Sequence, residues 1–203
     1  MQLKLCMPRP LEHNREKVIA AAMQVFWDKG YSATSMADLK AATGLNSGSI
    51  YSSYQSKEDL FLETLTVYCN RSIENQKNSL FASADYIQNI YAFFEKFEEK
   101  SATEKESQKG CFFVNTLVEV SPHNPKVKEL LTHYTDSYQQ NFMEALTQAK
   151  HEKQIDELSN IKLMAQQLML LIWGLRVMHK SSLLTDSTTV VSQQLDDMFK
   201  ASE

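Results

Sequence analysis

The sequence predicts an all-α protein in two parts, and three observations carry that prediction. Breakers are scarce, with four prolines and five glycines in 203 residues, so long segments run without punctuation. Apolar residues recur at helical spacing in segment after segment. Charge divides the chain: residues 1–60 hold seven Lys/Arg against six Asp/Glu, and the remainder holds fourteen against nineteen. An N-terminal domain over 1–55 and a C-terminal domain over 56–203 are expected, with a helix from 56 to about 80 joining them. A chain that is 43% hydrophobic and 23% charged can build a core, which excludes a disordered chain. A net charge of −4 excludes a generic polycation.

The first helix is expected over EHNREKVIAAAMQVFWDK, residues 12–29. Val18, Ala22, Val25 and Phe26 fall on one face, with Ile19 beside them. Gly30 is placed to stop it. Ser35-Met-Ala-Asp38 has the form of a capping box, a serine N-cap with an acid three residues on. It opens a short helix over about 36–42 that ends at Gly44. Asn46 or Ser47 can cap a third helix running to about Ser53. Ser56-Lys-Glu-Asp59 is a second capping box, opening the long helix that follows.

Two short helices joined by a glycine turn, behind a longer one, form the helix-turn-helix pattern. Its chemistry suits the odd composition of GLNSGSIYSSYQSK, residues 44–57. A helix that enters the major groove needs small residues at its start, so that backbone and hydroxyls can approach phosphates. Tyrosines reach phosphates or thymine methyls. Ile50, with Leu39 and Leu45, is the apolar peg that holds such a helix on its core. A Ser/Tyr-rich segment taken by itself is more often a surface loop than a DNA reader. The order of capped helices, Gly turns and Tyr51, Tyr54 and Lys57 is what favours DNA.

This arrangement resembles the N-terminal domain of the TetR family of transcriptional regulators. The matching residues run from Ala20-Ala-Ala-Met-Gln-Val-Phe26 through Gly30-Tyr31, Thr34-Ser35, Met36-Ala-Asp-Leu39, Ala42, Gly44-Leu45, Gly48-Ser-Ile-Tyr51 and Tyr54 to Ser56-Lys57-Glu-Asp-Leu60. Asn46 stands where the family often has a serine or other small residue. Ser52-Ser53-Tyr54 stands where it often has a histidine and then an aromatic; both departures bear on base preference. The resemblance implies a double-stranded DNA operator contacted by Thr34, Ser35, Asn46, Ser47, Gly48, Ser49, Tyr51, Tyr54 and Lys57. Packing is the competing role for Tyr54, setting the link for Thr34, and plain solvation for Lys57.

The C-terminal part resembles the family's regulatory domain in architecture alone. A helix over Tyr86–Lys100 is expected, then the polar link SATEKESQK. A buried helix begins at Gly110-Cys111, and Ser121-Pro-His-Asn-Pro125 breaks it. Residues 126–150 and a last helix over about 188–200 follow the same periodicity. Between them Ile161, Met164, Leu168, Leu171, Leu175 and Met178 keep alternating steps of three and four, a heptad seam. Met169, Leu170, Ile172, Trp173 and Val177 make a second apolar side. A helix apolar on two sides is buried on two sides; a homodimer interface through Met164, Leu168, Leu171, Leu175, Met178, Leu195 and Met198 is expected, a monomer's central helix being the alternative.

A small-molecule effector is implied by the resemblance. Phe94, Phe97, Phe112, Tyr134, Tyr138 and Trp173 are pocket candidates, each also readable as core. Cys111, after Gly110 at a helix start where the dipole favours a thiolate, is a candidate redox sensor or a small buried hydrophobe. Cys6, Cys69 and Cys111 offer no CxxC pair and no disulfide framework, so a reducing cytoplasm is expected. The start MQLKLCMPRP has no signal-peptide core. The most apolar run, Leu168–Trp173, is too short to span a membrane. No catalytic constellation, cofactor motif or metal-ligand spacing is present in the sequence. The expected function is that of a ligand-responsive, DNA-binding repressor. The alternative is a helical small-molecule or partner-binding protein that no longer reads DNA, which the weak N-terminal charge favours.

Overall fold

The computed structural model describes residues 11–101, 109–181 and 187–200, without the side chains of 11–14, 47, 97–101, 179, 181 and 200. Cys6 with the 1–10 start, most of the 101–109 link, and the side chains of Ser47 and Phe97 therefore lie outside the described residues. All regular structure described is helical: α1 Leu11–Lys29, α2 Met36–Thr43, α3 Ser47–Tyr54, α4 Lys57–Leu80 and α5 Tyr86–Ser101, then α6 Phe112–Glu119, α7 Pro125–His151, α8 Ile161–Ser181 and α9 Ser187–Lys200. The helices divide into two compact units at Val67/Tyr68. The division falls inside α4, twelve residues later than the expected end of the first domain. The reason is packing. Leu60, Phe61, Thr64 and Leu65 of α4 are fully buried, and the Phe61 ring meets Phe26 at 5.0 Å and Tyr31 at 4.6 Å between centroids.

In unit 1, Val18, Ile19, Ala22 and Phe26 bury one face of α1, and Leu39 and Ile50 are the fully buried residues of α2 and α3. Gly44 stops α2 at φ 70° and donates its N–H to the Lys40 carbonyl. Open space surrounds the position of its missing Cβ, so backbone conformation is what requires glycine there. Arg15 clamps Glu63 with two hydrogen bonds of 2.8 and 2.7 Å, fixing α1 against the start of α4.

In unit 2, α7 buries Leu131, Tyr134, Tyr138, Phe142 and Leu146 along one side. Asn124 caps it, accepting from the Val127 N–H at 3.1 Å, and Pro125 occupies the first turn. Asn89 closes the α4–α5 corner by donating to the carbonyls of Leu80 and Ser83. Tyr91 of α5 donates to Asp196 of α9 at 2.7 Å.

An 18-residue window of α8, Ile161–Met178, has mean hydropathy 1.3, long and apolar enough by length and composition to cross a bilayer. The expectation drawn from the six-residue run missed this. Its inner side nevertheless packs in the domain, with Met164, Ala165, Leu168, Ile172 and Leu175 buried and the charged Arg176 buried beside them.

The seam expected at a dimer interface is thus largely internal. Met164, Leu168, Leu175 and Leu195 are at most 7% exposed within their own chain, while Leu171, Met178 and Met198 are half-buried. The outward apolar residues are Leu163, Leu170 and Val177, spaced by seven, with Gly174 open between the last two. Met164, Leu168 and Leu175 of the heptad are thus covered within their own chain, where α8 packs on α7, while Leu171 and Met178 stay partly open.

Candidate functional site

Unit 1 offers one exposed surface built by the caps of two short helices. Ser35 begins α2 with φ −93° and ψ 161°. Its hydroxyl accepts from the Asp38 N–H at 3.2 Å, and Asp38 Oδ2 accepts from the Ser35 N–H at 2.9 Å. The Asp38 carboxyl is held well below the usual carboxylate range, first by Lys29 at 2.6 Å and then by the Ser35 donors. Asn46 begins α3 and its Oδ1 accepts from the Ser49 N–H at 2.8 Å. Gly48 follows, exposed; a Cβ there would touch Asn46 Oδ1 at 3.4 Å.

Along α3, Ile50 and Tyr54 face inward while Gly48, Tyr51 and Ser52 face out. These three share the i, i+3, i+4 relation of one helix face. Tyr51 is 50% exposed, and α3 contains no carboxylate. The result is a neutral, hydroxyl-bearing ridge with small residues at its start. Such a surface can approach a phosphate backbone and donate to it without electrostatic repulsion.

A second constellation lies in the core of unit 2, around Arg176 of α8. The guanidinium is buried. Nη1 donates to Cys111 Sγ at 3.4 Å and to Tyr134 Oη at 3.4 Å, and Nη2 donates to Tyr138 Oη at 3.2 Å. It lies 4.9 Å from the Trp173 ring centroid and 5.4 Å from that of Tyr138. Two links run to α4: Tyr68 Oη meets Cys111 Sγ at 3.4 Å, and Ser72 Oγ meets Tyr134 Oη at 2.9 Å.

One turn further along α4, Gln76 donates to the Tyr138 carbonyl and accepts from Asn141. Burial pushes the phenols of Tyr68, Tyr134 and Tyr138 up, so they remain neutral donors at physiological pH. Burial also raises the Cys69 thiol, to about 12. For Arg176 burial opposes the charge, but Cys111, Tyr138, Tyr134 and Tyr68 act the other way and it stays charged.

Residues 18–64 match the sequence pattern of bacterial regulatory proteins of the tetR family, and residues 87–194 match the tetracyclin repressor-like C-terminal domain. The chain belongs to the TetR family. It is a DNA-binding transcriptional regulator of the helix-turn-helix type. The HTH-type transcriptional repressor ComR of Escherichia coli K12 is 27% identical over 169 residues, which are 83% of this chain and 80% of that protein. BdcR, another repressor of that strain, is 28% identical over 129 residues, 62% of each chain. The reduced form of E. coli NemR shares the fold at TM-score 0.82 and 17% identity, over 92% of this chain and 98% of that one. A cysteine mutant of the TetR family regulator CifR, solved on a 26 bp operator, does so at TM-score 0.80 and 21% identity, over 95% and 99%.

Within this TetR-type head, the expected contact residues separate by exposure. Ser35, Asn46, Gly48 and Tyr51 stand on the outer surface and Ser49 is half-buried; the Ser47 side chain lies outside the described residues. For Thr34 the geometry favours the alternative role of setting the link over a phosphate contact. The residue is 2% exposed and its hydroxyl donates to the Gly30 carbonyl at 2.6 Å, so it closes the turn after α1. Tyr54 is 5% exposed with Arg15 above its ring, which gives it the packing role. Lys57 is half-buried, its ammonium 4.5 Å from the centre of the Tyr31 ring. Ser52 was not expected, although its place four residues after Gly48 puts it on the same face.

Of the pocket candidates, Tyr134, Tyr138 and Trp173 meet around Arg176. Phe112 packs edge-on to Tyr68, and Phe94 stacks on Phe142 elsewhere in the core. The Phe97 side chain lies outside the described residues. Sequence reasoning missed Arg176, Tyr68 and Ser72. The available signal was an arginine inside the otherwise apolar stretch Leu168–Met178, and polar residues at 68, 72 and 76 repeating every four.

Proposed function

We propose that this TetR-family regulator is a homodimeric repressor that reads a palindromic operator and releases it when unit 2 is altered by a small molecule or at the Cys111 thiol. The observation that carries the DNA reading is the exposed, carboxylate-free face of α3, with Gly48 at its start and Tyr51 and Ser52 projecting. In a two-fold dimer two such helices enter successive major grooves about 34–36 Å apart, so the operator mirrors the protein's symmetry. The outward stripe Leu163, Leu170 and Val177 of α8 supports a dimer through that side rather than through the buried seam. Catalysis has no part in this reading, and the cytoplasm is where the regulator works.

Release follows from linkage. An effector weakens operator binding only by its preference for the non-binding conformer. Cys111 suits a thiol signal because its sulfur touches both Arg176 and Tyr68, so any adduct must displace one of them. The test is enrichment of random duplex DNA on the purified protein, with reduced and mildly oxidised samples in parallel. A palindrome from the reduced protein, lost on oxidation and retained by oxidised Cys111→Ser, is expected. No enriched sequence in any condition would leave a helical binding protein without specific DNA recognition. A palindrome indifferent to oxidation would remove Cys111 from the mechanism.

A further inference from the structure

Few side-chain types read base edges in the major groove. Arginine or lysine grips guanine, asparagine or glutamine grips adenine, an acid accepts from cytosine, and apolar groups touch the thymine methyl. Helix α3, Ser47–Tyr54, reads SGSIYSSY and contains none of the charged or amide types. Two amides flank it. Asn46 caps the helix, its Oδ1 accepting from the Ser49 N–H at 2.8 Å, so the oxygen that adenine would need faces its own helix. Gln55 follows the last residue of α3 at φ 58°, at the end opposite the one that meets base edges. Ser52 and Ser53 are exposed, but a single hydroxyl suits several bases and discriminates little. Tyr51, 50% exposed, supplies the apolar surface of this face.

We propose that Tyr51 is the specificity-determining residue of α3, and that its ring reads the 5-methyl group of a thymine while the helix grips no purine. This rests on the DNA reading above and names the chemical group that is read. A ring and a methyl group that cover one another both leave water, which favours the contact. The phenol oxygen, at the far edge of the ring, is left for a phosphate. Gly48 stands three residues before Tyr51 on the same exposed face. A Cβ there would meet Asn46 Oδ1 at 3.4 Å and nothing else within 4 Å. The helix therefore has room for a side chain at 48, and its absence opens the outer side next to the Tyr51 ring.

Thymine and uracil present the same hydrogen-bonding edges and differ in the 5-methyl group. Random duplex libraries made with one or the other are enriched on the full-length protein. The thymine library should yield a palindrome with a required thymine in each half-site. The uracil library should yield the same palindrome with the preference at that position lost. A third library, with uracil for thymine and 5-methylcytosine for cytosine, should move the preference to 5-methylcytosine. On a duplex carrying the recovered palindrome, exchanging both required thymines for uracil should weaken binding about fifteenfold, or about fourfold for each buried methyl group. Tyr51→Ala should be indifferent to that exchange, and Tyr51→Phe should remain sensitive to it.

Two further variants test the flanking amides. Asn46→Ser keeps a capping hydroxyl and removes the carboxamide, and Gln55→Ala removes the other. Both should select the parent palindrome. Loss of a purine position in either variant overturns the proposal, because an amide then reads the base. A palindrome that the uracil library returns with every preference intact also overturns it and leaves the DNA reading standing. So does a Tyr51→Ala protein that loses as much affinity on uracil exchange as the parent. No palindrome from the thymine library removes the DNA reading, and this proposal with it.

Discussion

At the residue scale, two tyrosines three positions apart have opposite duties. Tyr51 is half exposed and Tyr54 is buried, although the sequence presents both as aromatic residues in a serine-rich segment. Replacing Tyr51 with Ala should reduce operator affinity about tenfold or more, the loss of one good contact. Its thermal unfolding should move by less than about 0.5 kcal/mol, as for other surface changes. Replacing Tyr54 with Ala should instead cost about 3 kcal/mol of stability, as for other buried aromatics. Operator binding by the fraction still folded should be nearly normal. Fluorescence anisotropy on operator duplex, beside calorimetric melting, separates the two. The division was latent in the spacing: Tyr54 lies four residues after the core peg Ile50 and shares its inner face whichever residue caps α3, while Gly48, Tyr51 and Ser52 share the outer one. Thr34 was left between two roles because its hydroxyl satisfies a carbonyl of the turn, a local bond that no periodicity reveals.

At the element scale, the capping boxes were the most readable features of the chain. Ser35 and Asp38 form the predicted pair of reciprocal bonds, and Gly30 and Gly44 adopt the left-handed conformation their positions suggested. These signals are local, so sequence alone suffices to find them. The consequence is testable. Ser35→Ala removes the acceptor of the Asp38 N–H and should cost about 1 kcal/mol, read from urea midpoints at unchanged slope. Asp38 also gives a pH dependence. Its folded pKa is depressed below the ordinary 3.8, so the stability it contributes is present above that value. It is lost as pH falls through the lower folded value, where the carboxylate finally takes up a proton. Asp38→Asn should therefore lower stability near neutral pH and flatten the acid limb of the stability curve. A variant that tracks the parent curve down to pH 2 would remove the Lys29–Asp38 pair from the account.

At the scale of the whole molecule, the least readable property was which side of α8 the chain itself covers and which it leaves open to a second copy, as proposed above. Periodicity reports that a helix is apolar on two sides and cannot say which side the chain itself covers. The aromatic row of α7 settles that, because Leu168, Ile172 and Leu175 are buried against the core while Leu163, Leu170 and Val177 are left outside. The two sides predict different failures. Leu168→Glu places a charge in the core and should prevent folding, since an unpaired buried charge costs several kcal/mol. Leu170 is 73% exposed in the single chain, so Leu170→Glu should fold normally and melt near the parent at high dilution. In a two-fold interface the substitution occurs twice, and like charges meet across the axis. Sedimentation should then show a monomer at concentrations where the parent is a dimer. Operator affinity should fall about a hundredfold, because each head then binds without the effective concentration supplied by its twin. A Leu170→Glu protein that sediments with the parent and binds the full palindrome equally well would exclude this face of α8 from the interface.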